Sequence, residues 1–405
     1  MRKAVSLLVM AVFLLAFAAV GSAADFHIGI VTGTVSQSED DLRGAEKLME
    51  EYGSVANGGM IQHLTYPDNF MQEMETTITQ IVGLADDPLM KAIVVNQAIP
   101  GTTEAFRRVK EKHPDILLLA GEAHEDPLTI ETAASLVTNS DFISRGYLIP
   151  HTAKELGCDT FVHISFPRHM SYETLSTRRN IFEEASKDLG MKFVFETAPD
   201  PVSDVGVAGA QQYILEKVPA WIEKYGKNAA FFCTNDAHTE PLLKQLLAYG
   251  GYFIEADLPS PLMGYPGALG VDLSAAKGDF AKILKTVEDA IVAKGGAGRF
   301  GTWAYSYGFT TTAGLGELAK RVLEGQAELT NLADIMDAFG KYTPGAKWNG
   351  AYYTDRNTGT TADNHVLIYQ DTYIMGKGYM NATDVEVPEK YKNVSSVAPE
   401  GEKKE

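Results

Sequence analysis

Residues Phe26–Gly53, FHIGIVTGTVSQSEDDLRGAEKLMEEYG, decide how the chain is read. The opening FHIGIVTG is a short apolar run closed by Thr32 and Gly33, the pattern of a buried strand. A polar turn, TVSQSED, follows. The remainder is an amphipathic helix in which Leu42, Ala45 and Leu48 recur at helical spacing, with Ser38 and Asp40 as candidate caps. Repeated, such a strand–turn–helix unit builds a doubly wound parallel sheet. Ligands bind such sheets beyond the carboxyl ends of the strands.

The unit does repeat. MIQHLTYP (60–67), KAIVVNQAI (91–99), DILLLAGEAHEDP (115–127) and ASLVTNS (134–140) read as further strands. Between the first two lies a helix over 69–85 with Met71, Met74, Ile78 and Ile81 on one face, and another begins near Thr102. Spacing of roughly 25–30 residues per unit gives right-handed parallel connections. The pattern restarts with a helix from Phe142 to Leu156 and a strand DTFVHISF (159–166) leading into the loop PRHMSYE. A helix over 173–188, a strand MKFVFETA (191–198) and a helix over 206–224, kinked or broken at Pro219, come next. NAAFFCTND (228–236) is a strand ending in Thr-Asn-Asp; a helix over 238–248, YFIEAD and PLMGYPGALGVDL (261–273) complete this half. Two similar α/β halves in series imply two lobes with a cleft between them. A third section holds helices over 279–294, 311–324 and 330–340, then a hairpin over 345–375 whose turn is Asn357-Thr358-Gly359.

Length and composition agree. A chain of 405 residues with 45% apolar residues suits two domains with sizeable cores. Arg2 and Lys3 ahead of the apolar run Ala4–Val20, with small residues GSAAD after it, form a secretory leader cleaved after Ala23 or Ala24. The whole chain has a formal charge of −18; without the leader 33 basic residues face 53 acidic ones, a net of −20. That balance excludes nucleic acid and anionic membrane surfaces as partners. No second apolar run approaches the roughly 20 residues of a span, so a soluble, exported protein is expected. Cys158 starts one strand and Cys233 ends another. Five residues of strand separate such positions by about 15 Å, against the roughly 7 Å a disulfide tolerates, so two buried free thiols are expected.

Sharper chemical motifs fail. Gly296-Ala297-Gly298-Arg299-Phe300-Gly301 matches a dinucleotide fingerprint in letters only, because it follows a helix and precedes an aromatic stretch. The nine histidines include no HExxH and no compact Cys/His set, and no GxSxG elbow occurs. No metal, no cofactor and no catalytic residue is therefore expected. The sequons at Asn381 and Asn393 require a glycosylation machinery that the bacterial-looking leader does not imply.

Several stretches carry a resemblance. GIVTGTVSQSEDDLRGAEKL resembles the opening unit of the type I periplasmic solute-binding proteins of ABC importers. FFCTNDAHTEPLLKQL resembles the strand and Asn-Asp loop of their sugar-binding branch. TWAYSYGFTTTAGLGELAKRVLEG and WNGAYYTDRNTGTTADNHVLIYQ are similar to the closing section of their branched-chain amino acid branch. The chain stands between the two. The resemblance implies two doubly wound lobes joined by a three-strand hinge, with crossovers near Asn139–Phe142, Leu273–Ala276 and Gly345–Gly350. The expected division is a signal peptide (1–24), an N-terminal lobe (25–140 plus 274–345), a C-terminal lobe (141–273 plus 346–384) and a disordered charged tail (385–405). It further implies a monomeric periplasmic or secreted receptor, not an enzyme. Such a receptor captures a small polar organic ligand between its lobes and delivers it to an ABC permease, its only link to the membrane. A ligand-sensing subunit for a membrane receptor, or an enzyme on the same fold, is the alternative.

Candidate ligand-binding residues sit at the carboxyl ends of strands, where a closing cleft needs fixed hydrogen-bonding groups. The first half offers Thr34, Ser36 and Gln37, then Asn96 and Gln97, then Glu122 and His124. The second offers Arg168 and Tyr172, then Asn235 and Asp236, and finally Tyr265. By resemblance Asp236 matches a hydroxyl-binding Asp of the sugar branch and Tyr172 a cleft Tyr of the amino acid branch. Arg168 has the fork to clamp a carboxylate or bridge two hydroxyls. Each has a plainer reading: Asn235, Asp236 and Ser36 precede or open helices, where such residues serve as caps. Arg168 could be a solvated loop residue, Glu122 and His124 could pair with each other, and Trp303 and Tyr305 fit core packing better than an aromatic wall.

Overall fold

The computed structural model describes residues 24–356 and 358–394, the side chain of Gln37 excepted. The expected leader, apart from Ala24, and residues 395–405 of the expected tail lie outside the described residues, as does Asn357 of the hairpin turn.

The first section alternates as read: β1 (His27–Thr32), α1 (Val35–Tyr52), β2 (Ile61–Thr65), α2 (Met74–Leu84), β3 (Met90–Asn96), α3 (Thr102–Lys112), β4 (Leu117–Gly121), the short α4 (Pro127–Ile130) and β5 (Leu136–Ser140). The second runs α5 (Phe142–Glu155), β6 (Thr160–Ser165), the short α6 (Pro167–Met170), α7 (Glu173–Asp188), β7 (Lys192–Thr197), α8 (Gly206–Tyr225), β8 (Ala229–Cys233), α9 (Asp236–Tyr249) and α10 (Tyr265–Leu269). The last holds α11 (Phe280–Ala293), β9 (Gly301–Trp303), α12 (Tyr307–Leu323), α13 (Leu332–Lys341), β10 (Trp348–Thr354), β11 (Thr361–Gln370), β12 (Thr372–Ile374) and β13 (Gly378–Tyr379). Pro219 does not break α8, which runs through it.

These elements form two α/β lobes with parallel sheets and helices on both faces, the fold class expected from the sequence. The first sheet has the order β10-β11-β5-β4-β3-β1-β2, parallel except for the terminal β10. Its strands are buried on both faces, so they read as continuous apolar runs. Ile28, Ile30, Ala92, Val94 and Leu119 face a core built with α1, α12 and α13. Val31, Ile93, Val95 and Leu118 face a second core built with α2 and α3. The second sheet centres on β7-β6-β8 and continues through the parallel bridges Ala230 to Tyr252 and Phe253 to Phe300 toward β9, β12 and β13. Cys158 and Cys233 are buried free thiols at opposite ends of the adjacent strands β6 and β8.

The chain crosses between lobes at Asp141, at Ala304–Ser306 and at Asp371, where β11 ends in the first sheet and β12 begins in the second one residue later. This corrects two expectations. Gly345–Gly350 is not a crossover and 346–370 do not belong to the second lobe: β10 and β11 complete the first sheet, with His365 to Ile368 pairing with β5. Leu273–Ala276 is not a crossover either. Helix α11 contributes Phe280 and Ile283 to the first of these cores, and Val287 and Ile291 to the core of the second lobe, which gathers Val162, Ile164 and Phe231 with α8 and α9. Gly and short polar residues mark turns as readily as hinges, and here they mark turns. The tail is corrected as well: Tyr391 and Val394 are buried against α5 and α7, with Tyr391 stacked 5.1 Å from Tyr147.

Candidate ligand-binding cleft

A cavity of roughly 230 Å³ opens between the lobes. Ser38 to Asp41, Gln97, Glu122 and Ser306 to Gly308 line it from the first lobe; Asp236, Leu258 to Ser260, Leu262 and Met263 line it from the second. Its position follows from local structure. Ser38 has non-helical torsions (φ −158°, ψ 87°), which restarts α1 there and places Glu39, Asp40 and Asp41 in a fresh first turn. Carboxylates are favoured at helix N-termini by the unpaired N–H groups and the helix dipole. Gly44 lets α12 approach closely: a Cβ there would stand 2.7 Å from the Phe309 carbonyl oxygen. That approach sets the N-terminus of α12, capped by Ser306, directly against the acidic turn. Ser306 donates its hydroxyl to Asp40. Asn96, fully buried at the end of β3, donates to the Gly308 carbonyl at 3.1 Å and to Thr312 Oγ1 at 2.8 Å, pinning α12 to the sheet.

Gln97 and Glu122 follow β3 and β4 directly, and both have left-handed backbones (φ 44° and 48°). For residues with a Cβ this conformation costs on the order of 1 kcal/mol. Only one other non-glycine residue among those described has positive φ, Asn381, so the strain concentrates at the cavity wall.

Besides Glu39, which pairs with Arg43, four carboxylates meet here, and burial raises the proton affinity of each of the four. Asp236 is pushed up to about 8, by desolvation first and then by Asp257, Glu122 and Asp40. Asp40 is pushed up to about 6, desolvation outweighing the hydroxyls of Ser306 and Ser260. Asp41 rises well above the usual carboxylate range through desolvation and the charge of Glu122. Glu122 rises through desolvation, against the pull of His124. Asp41 is fully buried and neither of its oxygens reaches a partner in hydrogen-bonding geometry, although Ser38 and Gln97 stand close enough to favour its ionised form. The buried hydroxyl of Tyr307 is likewise without a partner. An unsatisfied buried group costs about 1–3 kcal/mol, more when charged. No Lys, Arg or His lines the cavity. Arg145 behind it is engaged by Glu255 at 2.9 Å, and Arg178 by Asp257 at 2.5 Å. Among the described residues no group of three or more His, Cys, Asp or Glu is arranged to hold a metal ion.

Of the candidates read from the sequence, Gln97, Glu122 and Asp236 line this cavity, and the others whose side chains are described do not. Thr34 caps α1, accepting from Ser36 N at 3.2 Å and donating to Asp68, while Ser36 is exposed. The Gln37 side chain lies outside the described residues. Asn96 is a positioning residue behind the wall. His124 is largely exposed, 3.8 Å from Glu122. Arg168 is held by Asp200 at 2.7 and 2.9 Å and donates to the exposed Tyr172 hydroxyl at 3.1 Å. Asn235 caps α9 through Ala237 N at 2.9 Å. Tyr265 is a core residue that donates to the Gly301 carbonyl at 2.7 Å. Trp303 is fully buried. Missed by the sequence reading were Asp41, Ser306, Tyr307 and Gly308, with Asp40 read only as a cap. The signal was present as two clues, the acidic run Glu39-Asp40-Asp41 after the first strand and Ser306-Tyr307-Gly308 at a helix start.

Residues 26–301 match the family model described as "Protein of unknown function (DUF3798)". Two proteins of Treponema pallidum (strain Nichols), both described as "Uncharacterized protein", are similar. One is 43% identical over 213 residues, covering 53% of this chain and 96% of its own. The other is 44% identical over 179 residues, covering 44% of this chain and 81% of its own. Among solved structures, a candidate transcriptional regulator from Clostridium difficile 630 superposes with a TM-score of 0.76 at 22% identity, covering 86% of this chain and 99% of that one. A weaker likeness, TM-score 0.47 at 13% identity over 75% of this chain and 93% of that one, is to an ABC transporter periplasmic solute binding protein from Actinobacillus succinogenes 130z with bound D-allose.

Proposed function

The chain belongs to the DUF3798 family, and within it we propose that this protein is an extracytoplasmic solute-binding receptor. It takes a small polar organic molecule into the interlobe cleft, closes on it and presents it to an ABC permease. One observation carries the reading: the cavity is walled by residues of both lobes, at the carboxyl ends of β3, β4 and β8, beside the three places where the chain crosses between them. Such a site changes shape by rigid-body rotation about the crossovers, so ligand binding and closure are coupled. Export rests on the leader-like N-terminus. No helix among the described residues is long and apolar enough to cross a membrane.

The test is to purify the chain from its native host, denature it and identify released small molecules by mass spectrometry, with thermal-shift screening of polar solutes alongside. A stoichiometric molecule, or a solute that raises the melting temperature, is the expected result. An empty protein that no solute stabilises would end the receptor reading. A second reading, an enzyme on this fold, is favoured by the unequal proton affinities of Asp40 and Asp236, which resemble an acid/base pair. Chemical turnover of the recovered molecule would establish it; recovery of the molecule unchanged after incubation with fresh protein supports the receptor.

A further inference from the structure

We propose that the ligand of this cleft is a small aliphatic amine: Asp40, Asp41, Glu122 and Asp236 receive its ammonium groups, and Leu258, Leu262 and Met263 cover the methylenes between them. The inference rests on the receptor reading and specifies the chemistry of the same site.

The charge balance of the cavity is the first argument. Three helices of more than eight residues, α1, α9 and α12, aim their N-termini at the cavity. Each end is equivalent to about half a positive charge, together less than half of what four ionised carboxylates carry. The two nearby guanidinium groups do not close the gap, because Glu255 and Asp257 hold them. The site is therefore short of positive charge, and no side chain on its wall supplies it.

The second argument is independent of the count. Asp41 is completely buried, lines the cavity and has no hydrogen-bond partner for either oxygen. Asp40 Oδ1 is in the same condition. A protein that needed only helix caps there would hydrogen-bond those oxygens to backbone N–H groups, as Asn235 does on α9. Oxygens held open toward a cavity are acceptors awaiting donors, and an ammonium group brings three donors and no acceptor.

The wall excludes the competing chemistries. An amino acid's carboxylate would have to share the three helix N-termini with the carboxylates already there, and no lining side chain is cationic. A sugar is gripped by mixed donors and acceptors with a ring stacked on an aromatic face. Here acceptors dominate, and Tyr307 is the one aromatic of the lining among the described residues. An apolar strip of Leu258, Leu262 and Met263 beside carboxylates from both lobes matches a short chain with charged ends.

The test uses the purified chain and three probes in isothermal titration and thermal shift. These are 1,4-diaminobutane, 1,4-butanediol as its uncharged counterpart, and magnesium chloride. Diaminobutane should bind with 1:1 stoichiometry and raise the melting temperature, and butanediol should not bind. Asp41→Asn in the first lobe and Asp236→Asn in the second should each weaken diaminobutane at least about tenfold. Using both lobes keeps the test decisive if one variant folds poorly. Binding of butanediol or a sugar in preference to the diamine would overturn the amine assignment and leave the receptor standing. Preferential binding of magnesium, or diamine binding that both variants retain, would also overturn it. Absence of binding by any solute class would remove the receptor reading with it.

Discussion

Gly308 and Asp41 depend on each other at atomic range. A Cβ placed on Gly308 would stand 2.0 Å from Asp41 Oδ1 and 3.3 Å from its Cγ, a separation no side chain tolerates. The obstructing atom is the free end of a side chain, so the carboxylate can swing aside and the backbone need not move. Gly308→Ala is therefore expected to remove Asp41 from its place in the cavity while leaving the fold intact. Affinity for the bound solute should fall about tenfold or more, while the melting temperature shifts by no more than the few degrees that correspond to about 1 kcal/mol. Isothermal titration beside a melting curve separates the two effects. Unchanged affinity would detach Asp41 from the ligand. The same economy of contact appears in Gln97 and Glu122, whose left-handed backbones serve no turn that a glycine would not make more easily. Their side chains both lie on the cavity wall.

At the scale of the element, strand ends and helix starts hold the site, and they also decide how much of it the sequence could reveal. A carboxylate whose folded pKa is raised binds its proton more tightly folded than unfolded. The stability this gives is complete below the unfolded value and is lost as pH rises through the folded one. For Asp236, first residue of α9, the window runs from 3.8 to about 8. Glu122 and Asp40 face it across the cleft, Asp257 with its partner Arg178 flanks it in its own lobe, and His169 lies near Asp257. Asp236→Asn, which cannot ionise, should match the parent near pH 4 and exceed it increasingly toward pH 8 in unfolding experiments without ligand. A difference that stays flat with pH would refute the buried, repelled carboxylate. His163, buried and held neutral, acts in the opposite sense, losing stability as pH falls below 6.5. It is common to both proteins and cancels in the comparison. The strands of the first lobe were legible because burial on both faces makes them unbroken apolar runs, and Asp236 was legible as the acid directly after such a run. Asp40 looked like a cap because capping and ligand binding select the same residue at the same place. Arg168 and Tyr172 had the right position, but Asp200, 32 residues further on, occupies the guanidinium, and that pairing has no local signature. Tyr307 and Gly308 reach the acidic turn only through the packing of α12 on α1, which sequence spacing does not encode.

For the whole molecule the question is what holds the lobes apart and what draws them together. The three crossovers are tied side by side. Asp141 N donates to the Ile368 carbonyl at 2.7 Å, and the Gln370 amide exchanges hydrogen bonds with the Tyr305 backbone at 3.1 and 3.3 Å. A bundle bound in this way bends as a unit, which favours one hinge axis over independent flexing of three strands. Across the cleft, Asp236 in one lobe faces Asp40, Asp41 and Glu122 in the other. When ionised these groups repel, and the repulsion favours the open arrangement; protonation or a bound cation removes it. The unliganded protein should therefore have a larger radius of gyration at pH 8.5, above the raised value of Asp236, than at pH 5, below those of Asp40 and Asp236. Saturating diamine should bring the pH 8.5 radius down to or below the pH 5 value, because the ligand supplies the missing charge and the closing contacts together. Small-angle scattering at the two pH values, with and without ligand, measures all four states. A radius indifferent to both pH and bound ligand would mean that the lobes do not rotate about the crossovers, and that the cavity fills without closing.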